Sequence, residues 1–329
     1  MILLAAGPSA AVVFAHRFEA PHVVVLTGAM PEAGGWQPAS LTADVGEEVR
    51  LRLTSSDVMH GFAIGQDSRP PVDVKPGQVT EIALRFDRPG VYVYYCTRWC
   101  GPNHWRMRGI IEVSGAAAGS NSTPPAPYLA LGIDLDVPHP AGVRPGVRPS
   151  ATRGESLGIA IPARFAAAEP AHRPSPEVVW QTLRSRSDLR DLTDQQRWDL
   201  VASIWRRATN PNARAMGRRL YARNCAACHG QSGRGDGVMV AVLRETLRAP
   251  GVPNHPTAQD WHGLGQPADF THPDLLAASP ALLHGKIVRG GMGTGMPSWG
   301  PILSDAEVWA LVDYLYSVQF TYDSIGASR

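Results

Sequence analysis

Cysteine is scarce in this chain: four among 329 residues, at positions 96, 100, 225 and 228. They fall into two pairs, each inside a longer motif, so none is left for a structural disulfide, and both motifs fit assembly outside the cytoplasm. Neither sign of charge prevails. Lys and Arg number 31 against 29 Asp and Glu, a balance that gives no sign of nucleic-acid binding. Long apolar runs are missing as well: residues 1–15 are apolar but short of the ~20 that span a bilayer and lack a basic leading segment. Residues 1–20 read as a signal or anchor remnant, and no later run is long enough to cross a membrane. The length predicts two or three domains.

What the chain does have is concentrated in residues 96–107. Cys96, Cys100, His104 and Met107 place two thiols, an imidazole and a thioether within twelve positions, a soft donor set suited to copper. Two thiolates four residues apart can bridge a pair of copper ions, and each ion then needs one imidazole. His104 supplies one. The run Asp57-Val-Met-His60-Gly-Phe, taken to close an alternating strand, supplies the other through His60. Met107 would be a weak axial ligand on one ion and the carbonyl of Arg98 the weak ligand on the other. A mononuclear blue-copper site needs only one cysteine, so the second thiol is the discriminating residue. A Cys96–Cys100 disulfide and a zinc site remain the alternatives. The first leaves His104 and Met107 unexplained, and zinc rarely recruits methionine.

The spacing C-x3-C-x3-H-x2-M, preceded by D-V-x-H-G-F, resembles subunit II of the haem-copper oxidases and, more loosely, the CuA domain of nitrous oxide reductase. The likeness covers about residues 35–114. It implies a dinuclear CuA centre with His60, Cys96, Cys100, His104 and Met107 as side-chain ligands and Arg98 as a carbonyl ligand. Many such subunits carry a glutamate where this chain has Arg98, and that side chain helps hold an interface magnesium ion. The copper site needs only the carbonyl, but the magnesium is in doubt. The membrane hairpin of most such subunits is not seen in the sequence.

Short strands are expected at His22–Leu26, Glu48–Thr54, Val79–Phe86, Gly90–Tyr95 and Gly109–Val113, with apolar and charged residues alternating most clearly through Val49, Leu51 and Leu53. They predict a Greek-key β-sandwich of cupredoxin type over residues 21–114, its ligand loop between the last two strands. Residues 115–174 have the Pro- and Gly-rich composition of a linker, and 128–174 show little periodicity.

Two capping boxes, at Thr193–Gln196 and Ser304–Glu307, open helices with matching apolar positions 111 residues apart. The match suggests a duplication, with 175–210 as a degenerate cytochrome c repeat that lacks a haem motif; two unrelated amphipathic helices are the alternative. Cys225-Ala-Ala-Cys228-His229 is the second redox motif. Its Cys-x-x-Cys-His form lets two thiols add to the vinyl groups of haem while the histidine binds iron. The loop before the last helix offers Met296 as the distal ligand and Met292 as an alternative. His255, His262, His272 and His284 are expected to be non-ligands. The Met296-Pro297 pair with its following aromatic and glycine resembles the distal loop of class I cytochromes c, a likeness covering about residues 212–320 in an all-helical domain, 211–329.

The order of domains resembles oxidase subunits II in which cytochrome c has become a C-terminal extension. This implies an electron-transfer subunit rather than an enzyme in itself: electrons would enter at haem c from a cytochrome or quinol-linked donor, pass to CuA and leave for a membrane haem-copper catalytic subunit on the periplasmic side. A free periplasmic carrier is the alternative. A nitrous oxide reductase would need a histidine-rich copper cluster on a propeller, and the sequence offers neither those strands nor those histidines.

Overall fold

The computed structural model describes residues 22–65, 67, 69–98, 100–101, 104–115, 126–160, 165, 169–248, 266–291 and 296–322. The apolar segment 1–20 and Met292, His255 and His262 lie outside the described residues.

The first half is a sandwich of two sheets. One orders β2 (Trp36–Gln37), β1 (His22–Gly28), β4 (Glu48–Ser55) and β7 (Thr80–Arg85). The other orders β3 (Ser40–Asp44), β9 (Arg108–Ser114), β8 (Gly90–Tyr95), β5 (His60–Ile64) and β6 (Val72–Val74). β1 runs parallel to β4 and β3 parallel to β9; the other pairs are antiparallel. In β4 the period-two pattern buries Val49, Leu51 and Leu53 and leaves Glu48, Arg50 and Arg52 in solvent. These aliphatics meet Leu26, Trp36, Phe62, Leu84, Tyr94 and Ile111 between the sheets. Each large side chain buried there contributes about 1.5–3 kcal/mol. Gly109 allows the close packing: a Cβ there would lie 2.2 Å from the Tyr94 ring, whose hydroxyl donates to the Pro38 carbonyl at 2.6 Å.

One strand boundary differs from the sequence reading. His60 does not close a strand but opens one, because β4 ends at Ser55 and the chain turns through Ser56–Met59. Asp57 stabilises that turn by accepting from the backbone N–H groups of Met30 and Val58, and the Ser55 hydroxyl donates to the Val58 carbonyl.

The second half is helical: α1 (Pro127–Ala130), α2 (Ala151–Ser156), α3 (Pro176–Arg184), α4 (Asp194–Ala208), α5 (Pro211–Asn224), α6 (Ala226–His229), α7 (Val240–Arg248), α8 (Pro280–Arg289) and α9 (Asp305–Gln319). Both capping boxes form, Thr193 with Gln196 at α4 and Ser304 with Glu307 at α9. α5 crosses α9 at Gly217, where a Cβ would lie 1.9 Å from the Ala310 carbonyl oxygen. α2 crosses α4 at Gly154, where it would lie 2.1 Å from that of Asp199. Asp199 and Ala310 are separated by the same number of residues as the two capping boxes, so the shared spacing includes the positions where the helices cross.

The described residues between 126 and 174 are not a free tether. Leu135, Ala151 and Phe165 belong to the same core as α4, α8 and α9, and the Arg153 guanidinium grips Asp199. Asp136 pairs with Arg289, and Ser150 bridges Thr321. The composition misled because these contacts are made by single residues between prolines, which leave no period in the sequence. Residues 175–210 share that core as well, with Trp180 stacked on Trp198 at 5.7 Å. Among the described residues, no helix is long and apolar enough to cross a membrane.

Candidate metal centres

The β8–β9 connection and the start of β5 converge at one edge of the sandwich. Backbone bonds fix the approach: Cys96 N–H donates to Met107, Thr97 N–H to Gly61, and Met107 N–H to His104. Gly61 has no Cβ because one would sit 2.1 Å from Thr97 Oγ1, and its N–H instead points at Cys96 Sγ, 3.5 Å away.

Within this frame Cys96 Sγ and Cys100 Sγ lie 3.9 Å apart. His60 Nδ1 is 3.9 Å from the first sulfur, while His104 Nδ1 and Met107 Sδ are 3.4 and 3.8 Å from the second. The Arg98 carbonyl oxygen is 3.2 Å from Cys96 Sγ. Its side chain turns away into a two-pronged pair with Asp73, so only the carbonyl is offered to the site. All six residues named from the sequence are thus brought together, and His60, Cys96, Cys100 and Met107 are buried.

The electrostatics favour a cation. The hydrogen bond between the sulfurs is the main cause that pulls the Cys96 thiol far below the usual range and pushes Cys100 above it. One proton leaves readily and the second is held, because two thiolates this close repel each other unless positive charge lies beside both. Both thiols are free of a disulfide. The donor set of two thiols, two imidazoles, a thioether and a carbonyl fits a pair of copper ions and is poorly matched to zinc.

Two residues were given no role from the sequence. Asp57 Oδ1 sits 2.8 Å from His60 Nε2; burial opposes charge on His60, but Cys96 and Asp57 together raise its pKa. The backbone donors Met30 and Val58 hold the Asp57 carboxyl below its ordinary range despite burial. The D-x-x-H spacing was the available signal. Gly28 is the other, since a Cβ there would come within 3.1 Å of both His60 and Met107.

In the helical half, α5 ends at Cys225 and the short α6 carries Cys228 and His229. Burial pushes the Cys225 thiol up to about 12 and raises Cys228, so both are neutral, free thiols, the form that adds to a vinyl group. His229 Nδ1–H donates to the Ala268 carbonyl at 3.1 Å, and its ring stacks on Phe270 at 4.6 Å. That bond fixes the tautomer and leaves Nε2 as the free donor. Met296 stands on the loop that returns to α9, anchored where Gly291 N–H donates to the Met296 carbonyl and Trp299 N–H to Ile287. These residues fit a covalently held haem. His284 is buried, held by Asp305 at 2.9 Å and resting on Trp309, and His272 caps a turn.

A cavity of about 660 Å³ joins the two sites. Cys96, His104 and Met107 line it from the sandwich, and Cys228, Pro297 and Trp299 from the helical half.

Residues 39–114 match the family model of the cytochrome c oxidase subunit II periplasmic domain, and residues 212–315 that of cytochrome c oxidase, cbb3-type, subunit III. Cytochrome c oxidase subunit 2 of Thermus thermophilus is 38% identical over 81 residues, which cover 25% of this chain and 59% of that protein. A probable cytochrome c oxidase subunit 2 of Rickettsia bellii is 42% identical over 65 residues, covering 20% and 24%. The chain therefore spans less than two thirds of the length of these relatives. Among solved structures, the periplasmic domain of subunit II from Bradyrhizobium japonicum aligns with TM-score 0.26 and 21% identity, covering 29% of this chain and 86% of that one. The two matched domains imply copper and haem c, and the first is a periplasmic one. The chain joins a cytochrome c oxidase subunit II-type periplasmic domain to a cytochrome c domain.

Proposed function

We propose that the chain is an electron-transfer subunit of a haem-copper oxidase-type respiratory complex on the extracytoplasmic face of a membrane. His60, Cys96, Cys100, His104, Met107 and the Arg98 carbonyl would hold a dinuclear copper centre of CuA type. Cys225 and Cys228 would attach a haem c, with His229 and Met296 as the residues that would bind its iron. When bound, these groups would supply one-electron redox chemistry. The chain's own residues do the rest: the sandwich fixes the sulfurs, Asp57 orients His60, and Ala268 orients His229. No side chain is required as general acid, base or nucleophile.

The single observation that carries this reading is the shared cavity, which puts residues of both sites on one surface. The donor is a cytochrome or a quinol-linked protein, and the acceptor is a membrane catalytic subunit of the haem-copper class. In domain terms, residues 21–114 bind copper, 211–329 bind haem, and 175–210 are a degenerate cytochrome repeat.

Electron paramagnetic resonance of copper-loaded protein tests the first site: one electron coupled equally to two copper nuclei is expected, and coupling to a single nucleus refutes the assignment. Cys100→Ser should leave at most a mononuclear site. For the haem, Met296→Ala should abolish the weak long-wavelength band of sulfur ligation in the oxidised spectrum, whereas Met292→Ala should leave it. The opposite pattern reassigns the ligand. Co-purification with a haem-copper catalytic subunit checks the partner, and a stable protein that never associates with one supports a free carrier.

A further inference from the structure

Among the described residues, the sandwich and the helical half touch at Gly65, at Val93 and Tyr95, and at Arg108. At Gly65, just past β5, a Cβ would lie 2.1 Å from the Pro301 carbonyl oxygen and 2.7 Å from Ile302 Cα, so the two backbones are in contact. Val93 and Tyr95 of β8 pack against the helical core. Arg108, the first residue of β9, reaches furthest: its Nη1 donates to the Ser298 carbonyl at 2.8 Å, and its guanidinium lies 5.2 Å from the centre of the Trp299 ring. The guanidinium stays charged at neutral pH, as arginine does in proteins generally.

The position of this contact in the sequence matters. Arg108 directly follows Met107, and Ser298 is two residues past Met296. One charge-assisted hydrogen bond therefore ties the proposed axial ligand of one centre to that of the other. A flexible attachment would need no such bond, nor a glycine at Gly65, where the backbones meet.

We infer that Arg108 is a positioning residue that clamps the Met296 loop onto the copper loop, with Gly65 allowing the approach, so that the two halves form one docked unit whether or not metals are bound. Its functional meaning rests on the reading above: docking replaces diffusional encounter between haem and copper domains by a fixed separation. Arginine suits the task because its planar fork bonds a carbonyl while its face stacks on an indole; lysine offers the bond without the stacking.

The test uses the full chain with haem attached and copper removed. Hydrogen exchange is followed in residues 296–303, and small-angle scattering reports the overall size. Arg108→Ala should speed exchange in this loop by about tenfold, the loss of one hydrogen bond from a charged donor, and increase the radius of gyration. Gly65→Leu, which leaves Arg108 in place, should do the same by wedging the backbones apart. Arg108→Lys should fall between parent and Arg108→Ala. In copper-loaded protein, oxidised haem should speed relaxation of the copper signal less in Arg108→Ala than in the parent, while the copper spectrum itself is unchanged. Parent-like exchange and scattering in both Arg108→Ala and Gly65→Leu would overturn the clamp. Absence of a dinuclear copper signal would instead overturn the metal assignment, since the copper-free measurements read docking alone.

Discussion

Asp57 Oδ1 lies 2.8 Å from His60 Nε2, which leaves Nδ1 as the atom that faces Cys96 Sγ. A carboxylate behind a ligating imidazole fixes both the ring orientation and the tautomer. Asp57→Ala should therefore weaken copper binding by about 10–100-fold, the usual cost of losing such a partner, measured by competition with a chelator of known affinity. Unchanged affinity would mean that the Ser55–His60 turn alone orients the ring.

Gly217 and Gly154 sit at equivalent helix crossings, with no room for a methyl group before the facing carbonyl. Gly217→Ala and Gly154→Ala should each destabilise the helical half by about 1–3 kcal/mol through overpacking, offset only slightly by the better helix propensity of alanine. Chemical denaturation monitored by helix signal measures this. If Gly154→Ala is neutral while Gly217→Ala is not, the two crossings differ in tightness.

These cases mark what was legible in the sequence. The ligand loop could be read because copper donors must recur at fixed spacing, and β4 because half-burial imposes a period of two. Both capping boxes were likewise local patterns with local causes. Asp57 was quoted in its motif without a role, because a supporting carboxylate has no fixed spacing in general. The packing of residues 126–174 could not be read at all: Leu135 and Ala151 reach the core singly, between prolines and glycines that mimic a linker. Nor could the Arg108–Ser298 contact be foreseen, since it joins residues from two domains whose docking no periodicity reports.

Asp313 on α9 gives a pH dependence of stability. Burial raises its carboxyl to about 6, against the opposing pull of Arg173 and Arg214. The folded state thus prefers the protonated form. This contribution is fully present below pH ~4, the range of an unperturbed carboxyl, and is lost as pH rises through about 6. Asp313→Asn should flatten that part of the profile and raise stability near pH 7.5 by about 2–3 kcal/mol relative to the parent. Thermal denaturation of both proteins between pH 5 and 8 checks it, and parallel profiles would show that the Asp313 carboxyl titrates in the fold as it does in the unfolded chain.

The shared cavity bears on where electrons enter. Cys96, His104 and Met107 line it from one side and Cys228, Pro297 and Trp299 from the other, so a donor reaching the copper site along this route must pass the haem-binding loop. With the haem motif disabled by Cys225→Ala plus Cys228→Ala, reduction of the copper site by a protein donor should slow by at least about tenfold, an added barrier of about 1.4 kcal/mol. A small chemical reductant should still reduce it at the parental rate, which controls for damage to the sandwich. Rapid mixing with each reductant separates the two cases. Equal rates with the protein donor in variant and parent would place electron entry directly at copper and give the haem another role.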